Sequence, residues 1–185
     1  MPDRASALIV YESLFGNTEE LAEAIYDSLR MTMLVTLARA DHAPPVLPGS
    51  LHLLLVGAPT HAFGLSRRSS RVSQSAQGSV VMPVELGMRD WLRQLRSPRG
   101  AVVAATFDTK VVRSHLPGSA ARSAARALNL RGYELVADPA HFFLEHAIGP
   151  FLSGELERAI TWAEELAALM PPGSGHGHST HRRTA

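Results

Sequence analysis

A chain of 185 residues with 45% hydrophobic side chains is the size of one ordinary domain and can bury one core. Its formal net charge is +1, and residues 1–170 carry 16 basic against 17 acidic side chains, which argues against the dense basic face of a nucleic-acid or anionic-membrane binder. The absence of cysteine excludes disulfides, thiolate metal sites, iron–sulfur clusters and a Cys nucleophile, so any redox role needs a bound cofactor; with no apolar stretch near ~20 residues and no signal-like N-terminus, a cytoplasmic protein is expected.

Residues 7–11 are a short apolar run that reads as a buried strand. Leu21, Ala24, Ile25 and Leu29 share one face of a helix expected to start near Asn17. Residues 11–18 join the two through a hydroxyl-bearing loop. Unpaired N–H groups at a helix start converge there, the helix dipole favours negative charge, and Ser13 and Thr18 add hydroxyls, so the loop suits a phosphate. The same pattern also reads as a capped helix start, since Ser and Asn are ordinary N-cap residues. No GxxxxGK and no GxGxxG occurs, which removes the main support for nucleotide triphosphate and dinucleotide readings.

The runs at 33–37 and 51–56 are the second and third strands. Residues 59–95 exceed a simple crossover: a loop, then Arg67, Arg68 and Arg71 among serines, then a helix whose Met88, Trp91, Leu92 and Leu95 form a stripe. Residues 101–106 read as the fourth strand, with a loop over 106–111. That loop holds Lys110, the single lysine against 17 arginines, a ratio that a coding bias toward Arg explains. Pro117, Gly118 and Ser119 open a helix with Ala121, Ala124, Ala125 and Leu128 on one face, stopping near Gly132. Residues 133–137 are the fifth strand. Leu156, Ile160, Ala163, Leu166 and Ala167 mark a last helix over 153–170. The Pro-, Gly-, Ser- and His-rich residues 171–185 are expected to be a disordered tail, outside a domain of residues 1–170. His176, His178 and His181 could bind a metal there only adventitiously, so no metal site is expected.

Strands alternating with helices predict an α/β fold: an open five-stranded parallel sheet, order 2-1-3-4-5, helices on both faces, with the site at the strand C-termini beside the switch point. In Ser13, Gly16, Asn17 and Thr18 the first loop resembles that of the flavodoxin family, which holds the phosphate of FMN without a cation; Phe15 stands where the family usually has Thr. The resemblance is to short-chain flavodoxins and covers residues 6–170. It implies that the loop after the third strand carries one side of the isoalloxazine ring through Thr60, His61, Phe63 and Gly64. It further implies that the loop after the fourth strand meets the ring's pyrimidine end at Phe107 and Asp108, with Phe107 as the only aromatic available for a lid; strand-end aromatics also pack as simple core.

The resemblance implies an FMN-binding redox protein that carries electrons between partner proteins, without catalytic residues of its own, as a monomer or homodimer. An alternative is an FMN-dependent NAD(P)H:quinone-type oxidoreductase, whose Arg67, Arg68 and Arg71 would grip a nicotinamide-cofactor phosphate unless they are only a solvated helix start. A third reading is a module that has lost FMN and serves in protein interaction. A receiver domain lacks its acidic cluster, since only Glu12 follows the first strand and Gly57 ends the third; a nucleophilic hydrolase lacks a Gly-x-Ser-x-Gly elbow, and neither His115 nor His141 has an obvious nucleophile partner.

Overall fold

Apolar residues in consecutive positions of a strand point to opposite faces, and here both faces are covered. The computed structural model describes residues 4–61, 64–75, 86–112 and 117–170. In chain order its elements are β1 (Ser6–Tyr11), α1 (Asn17–Leu29), β2 (Leu34–Arg39), β3 (Leu53–Pro59), α2 (Arg68–Ser75), α3 (Met88–Gln94), β4 (Val103–Val111), α4 (Ala120–Asn129), β5 (Glu134–Leu135), β6 (Ala140–Leu144) and α5 (Glu155–Ala168). The sheet order is β2-β1-β3-β4-β5, every pair parallel, with β6 also on β4. The expected order 2-1-3-4-5 is therefore present. Ala7, Ile9, Tyr11, Leu53, Leu55, Ala105 and Phe107 pack under α1 and α5. Leu8, Val10, Leu54, Val56 and Ala104 pack under α3 and α4.

The boundaries differ from expectation in three places. The fourth strand continues to Val111, because its last residues pair with Ala140–Leu144 on one side and with Gly57, Ala58 and Pro59 on the other. The fifth position is filled by two pieces, β5 beside Val103 and Ala104 and β6 beside residues 107–111. Between them Pro139 has no N–H to give to the ladder. In α5 the buried stripe is Ala159, Ala163 and Leu166, while Ile160 is 38% exposed. Ala163 and Leu166 stay in the stripe and Leu156 and Ala167 flank it half-buried, so the one expected position that turns outward is Ile160, replaced by the smaller Ala159. The tail at 171–185 lies outside the described residues.

Gly57 on β3 stands directly opposite Phe107 on β4. A Cβ at Gly57 would lie 2.1 Å from the Phe107 ring, so the glycine is there to make room. Gly57→Ala is expected to destabilise the protein by about 1–3 kcal/mol through overpacking. A urea titration checks it, and an unchanged midpoint would show that the ring can swing aside.

Candidate functional site

The first helix begins in a way that leaves its amides open. Gly16 occupies the N-cap in the left-handed region (φ 93°), which only glycine adopts without strain, and no side chain caps the helix. Its own N–H donates to Ser13 Oγ at 3.1 Å. The first amide to find a helical carbonyl is that of Glu20, at 2.9 Å from Gly16 O. The N–H groups of Asn17, Thr18 and Glu19 have no partner among the described residues. The capped-helix alternative is therefore not what the structure shows. Asn17 Nδ2 instead donates to Ala147 O at 2.8 Å, tying the helix start to the loop after β6, and Thr18 Oγ1 shares a buried hydrogen bond with Thr109 Oγ1 at 2.9 Å.

This helix start is one wall of a cleft of about 570 Å³ at the carboxyl ends of β1, β3 and β4. That volume falls in the range of small-ligand sites, roughly 300–1,000 Å³. Ser13, Phe15, Asn17 and Thr18 line it from the first loop, Thr60 and His61 from the end of β3, and Thr109 and Lys110 from the end of β4. Arg67 closes another side and Phe143 of β6 contributes a second aromatic ring. Among the described residues no carboxylate lines the cleft. His61 is pushed down to about 4, first by burial and then by the charge of Arg71, so at neutral pH it presents an uncharged imidazole. The nearest acid on α1, Glu19, accepts a hydrogen bond from the Tyr11 hydroxyl at 2.5 Å; burial and then this bond hold the phenol above its usual range.

The other expected site residues fall elsewhere. Phe107 is fully buried and packs edge-on against Trp162 of α5, with ring centroids 6.0 Å apart, so it is core and not a lid. Asp108, one position on, points to the opposite face of the sheet. Its Oδ2 accepts from Thr60 Oγ1 (2.8 Å), Ser119 Oγ (2.7 Å) and the Ala121 N–H (3.0 Å), and its Oδ1 lies 2.8 Å from His141 Nδ1. It anchors the start of α4 and is fully buried away from the cleft. Both corrections share one cause: β4 is longer than its apolar run, so what reads as a loop is strand.

Thr60 borders the cleft, but its hydroxyl donates to Asp108 and accepts from the Ala120 N–H at 2.8 Å, leaving it little capacity for a ligand. Gly64 and His61 exchange paired backbone hydrogen bonds of 2.9 Å, and a Cβ at Gly64 would lie 2.5 Å from Ser123 Oγ. This glycine serves close packing on α4 and does not border the cleft. Phe63 lies outside the described residues.

The arginine cluster splits. Arg67 and Arg68 are exposed, whereas Arg71 is 1% exposed and its guanidinium donates to Ser66 Oγ at 2.9 Å and to Asp90 at 2.8 Å. Ser66 Oγ donates in turn to Glu12, whose other oxygen accepts the Met88 N–H at 2.6 Å. Glu12, next to the first loop, is fully buried, and burial raises its pKa despite these donors and Arg71. Arg71 is consequently not available to grip a cofactor phosphate. The signal for this network was thin: one Glu after a strand, with partners 54 to 78 residues away. Phe143 and His141 reach their places on β6, a strand whose local signal is the run Phe142, Phe143 and Leu144.

Neither a protein-family model nor a curated protein sequence matches the chain. Solved structures do. Oxidised flavodoxin 1 of Bacillus cereus is 17% identical, covers 90% of this chain and 100% of its own, and superposes with a TM-score of 0.65. The flavodoxin of Streptococcus pneumoniae is 20% identical with a TM-score of 0.62, covering 89% of this chain and 99% of its own. The chain has the flavodoxin-like fold. A Fusobacterium nucleatum flavodoxin variant solved with flavin mononucleotide is 11% identical with a TM-score of 0.54, covering 91% of this chain and 98% of its own. At these identities the likeness is one of fold. On a flavodoxin-like sheet the cleft lies where the strand order reverses, between β1 and β3, the place where open α/β sheets bind ligands.

Proposed function

We propose that this protein binds FMN in the cleft and carries electrons between partner proteins. The observation that carries the reading is the open start of α1, where the Asn17, Thr18 and Glu19 amides have no partner among the described residues and Asn17 and Thr18 line a cleft of cofactor size with no described carboxylate in its lining. Those residues fit a phosphate: the amides and the helix dipole supply the positive end, and Gly16 keeps side-chain bulk away. Phe15, Phe143 and the uncharged His61 offer flat or apolar surface for a ring system. Bound FMN would supply one- and two-electron chemistry, and the chain's own part is to bind, orient and shield it. No acid–base residue is needed for that part. The reductase alternative loses Arg71 as a phosphate contact, which leaves the carrier as the better-supported reading.

The open start of α1 takes one terminal phosphate, so FMN is expected to bind at least about tenfold more tightly than riboflavin or FAD, as loss of a charged hydrogen-bonded group costs roughly 1.5–3 kcal/mol. Fluorescence titration of the purified protein with each flavin decides it. Riboflavin binding as tightly as FMN would place the phosphate elsewhere; absence of FMN binding would end the redox reading.

A further inference from the structure

The net charge of +1 conceals a segregation of charge along the chain. Of the basic residues ahead of the tail, all but Arg4, Arg30, Arg39 and Arg158 fall between Arg67 and Arg131; of the acidic residues only Glu85, Asp90 and Asp108 do. The fold turns this into geometry, because α3 and α4 cover one face of the sheet while α1 and α5 cover the other. α2 joins the first face through the Arg71 to Asp90 ion pair.

On that face Arg67 and Arg68, then Arg93 and Arg96, then Arg122 and Arg126 are exposed. Its described carboxylates are engaged: Asp108 is buried, and Asp90 holds Arg71 at 2.8 Å. On the opposite face Glu20, Glu23 and Asp27 of α1 and Glu157, Glu164 and Glu165 of α5 are exposed. The basic face reaches the mouth of the cleft. Arg67 lines the cleft, and no hydrogen bond or ion pair to its guanidinium occurs among the described residues. It crowds Arg89, which is pinned to the carbonyls of Leu65 (2.7 Å) and Ser66 (3.1 Å); burial, then Arg67 and Arg93, push the Arg89 pKa down.

We propose that the face formed by α2, α3 and α4 docks an acidic electron-transfer protein against the mouth of the cleft. The proposal rests on the redox reading above. Arg67 at the cleft, continued by exposed arginines on α3 and α4, steers an acidic partner toward this face and repels a basic one. A nucleic acid is the poorer fit, because the aromatic residues of this face among the described residues, Trp91 and Tyr133, are buried and offer no ring for a base to stack on. The acidic α1 and α5 side gives the molecule a charge dipole, so an acidic partner is oriented as well as attracted.

The probe is an acidic plant-type [2Fe–2S] ferredoxin, with basic cytochrome c as its opposite. Reduced ferredoxin is mixed with the full-length, FMN-loaded protein, and the second-order rate of flavin reduction should fall about tenfold between roughly 20 and 300 mM salt. The variant R93E/R96E/R126E should lower the low-salt rate about tenfold and flatten the salt dependence. R122E/R126E, confined to α4, should show a smaller loss of the same kind. These side chains are exposed, and thermal melts of both variants check that the fold is kept. Anisotropy of labelled ferredoxin on the flavin-free chain reads docking separately, so failure to retain FMN and failure to dock are different results. A rate indifferent to salt and to charge reversal overturns the proposal, as does tighter binding of cytochrome c, of single-stranded DNA or of anionic vesicles than of ferredoxin at equal salt.

Discussion

Arg71→Ala is expected to cost about 3–5 kcal/mol of stability, the usual penalty for stranding one member of a buried charged network. Arg71 and Glu12 are both essentially inaccessible, Ser66 bridges them, and Asp90 completes the chain of contacts from β1 through α2 to α3. Removing the guanidinium leaves the buried Glu12 carboxyl with Ser66 and the Met88 amide as its donors among the described residues, and strands Asp90 as well. Guanidinium chloride unfolding measures the loss. Replacing both partners in E12Q/R71M should recover most of it, because an uncharged pair incurs no ionic desolvation. If Arg71→Ala proved nearly neutral, the network would be a passive cluster and not what holds α2 beside the cleft.

The same network sets a pH dependence. Burial raises the folded pKa of Glu12 above its ordinary value, so its contribution is fully present below the unfolded pKa and is lost as pH rises through the folded one. The difference in stability between the native chain and Glu12→Gln should therefore move against the native chain as pH climbs out of the carboxylate range. Thermal melts of both proteins across that range test the sign, and a difference that stayed flat would mean that Arg71 and the hydrogen bonds offset burial completely.

Gly16→Val should reduce FMN affinity by a hundredfold or more, on the order of 3 kcal/mol, while leaving the sheet intact. The reason is conformational. A Cβ at Gly16 would meet nothing within 4 Å, so there is no clash with the protein, but φ of 93° is a region that a β-branched residue enters at a cost of about 1–2 kcal/mol. Relieving that strain turns the Asn17, Thr18 and Glu19 amides away from their common direction. Ser13→Ala should do less, about 1–2 kcal/mol, because it removes one hydroxyl from the loop and one acceptor for the Gly16 amide. Flavin titration of both variants, with circular dichroism to confirm folding, separates the two. Normal FMN binding by Gly16→Val would mean that the phosphate does not sit at this helix.

What was legible beforehand was whatever local periodicity encodes. Apolar runs marked where strands start, Leu21, Ile25 and Leu29 marked the buried side of α1, and alternation of strand and helix was enough for the sheet order. The glycine after Ser13 and the helical run beyond it placed the open helix start correctly. Polar strand residues were not legible. Asp108, Thr109 and Lys110 look like a loop because they are hydrophilic, yet Asp108 and Thr109 pair with β3 and β6 and Lys110 pairs with β6; Asp108 is buried by hydrogen bonds instead of by apolar contact, and Phe107 goes to the core because alternation in a strand of that length sends it there.

The sequence by itself therefore determined the class of fold, the succession of elements and the place where the first loop opens into α1, since each depends on residues within a few positions of one another. Only the tertiary structure decided which arginine is buried and which reach solvent, which hydroxyls are already spent, and that near-neutral composition resolves into one basic and one acidic face. Those properties depend on partners outside any one element, such as Arg67 and Lys110 converging on a single cleft with Ser13 and Asn17, and no local pattern carries information about a neighbour that only folding supplies.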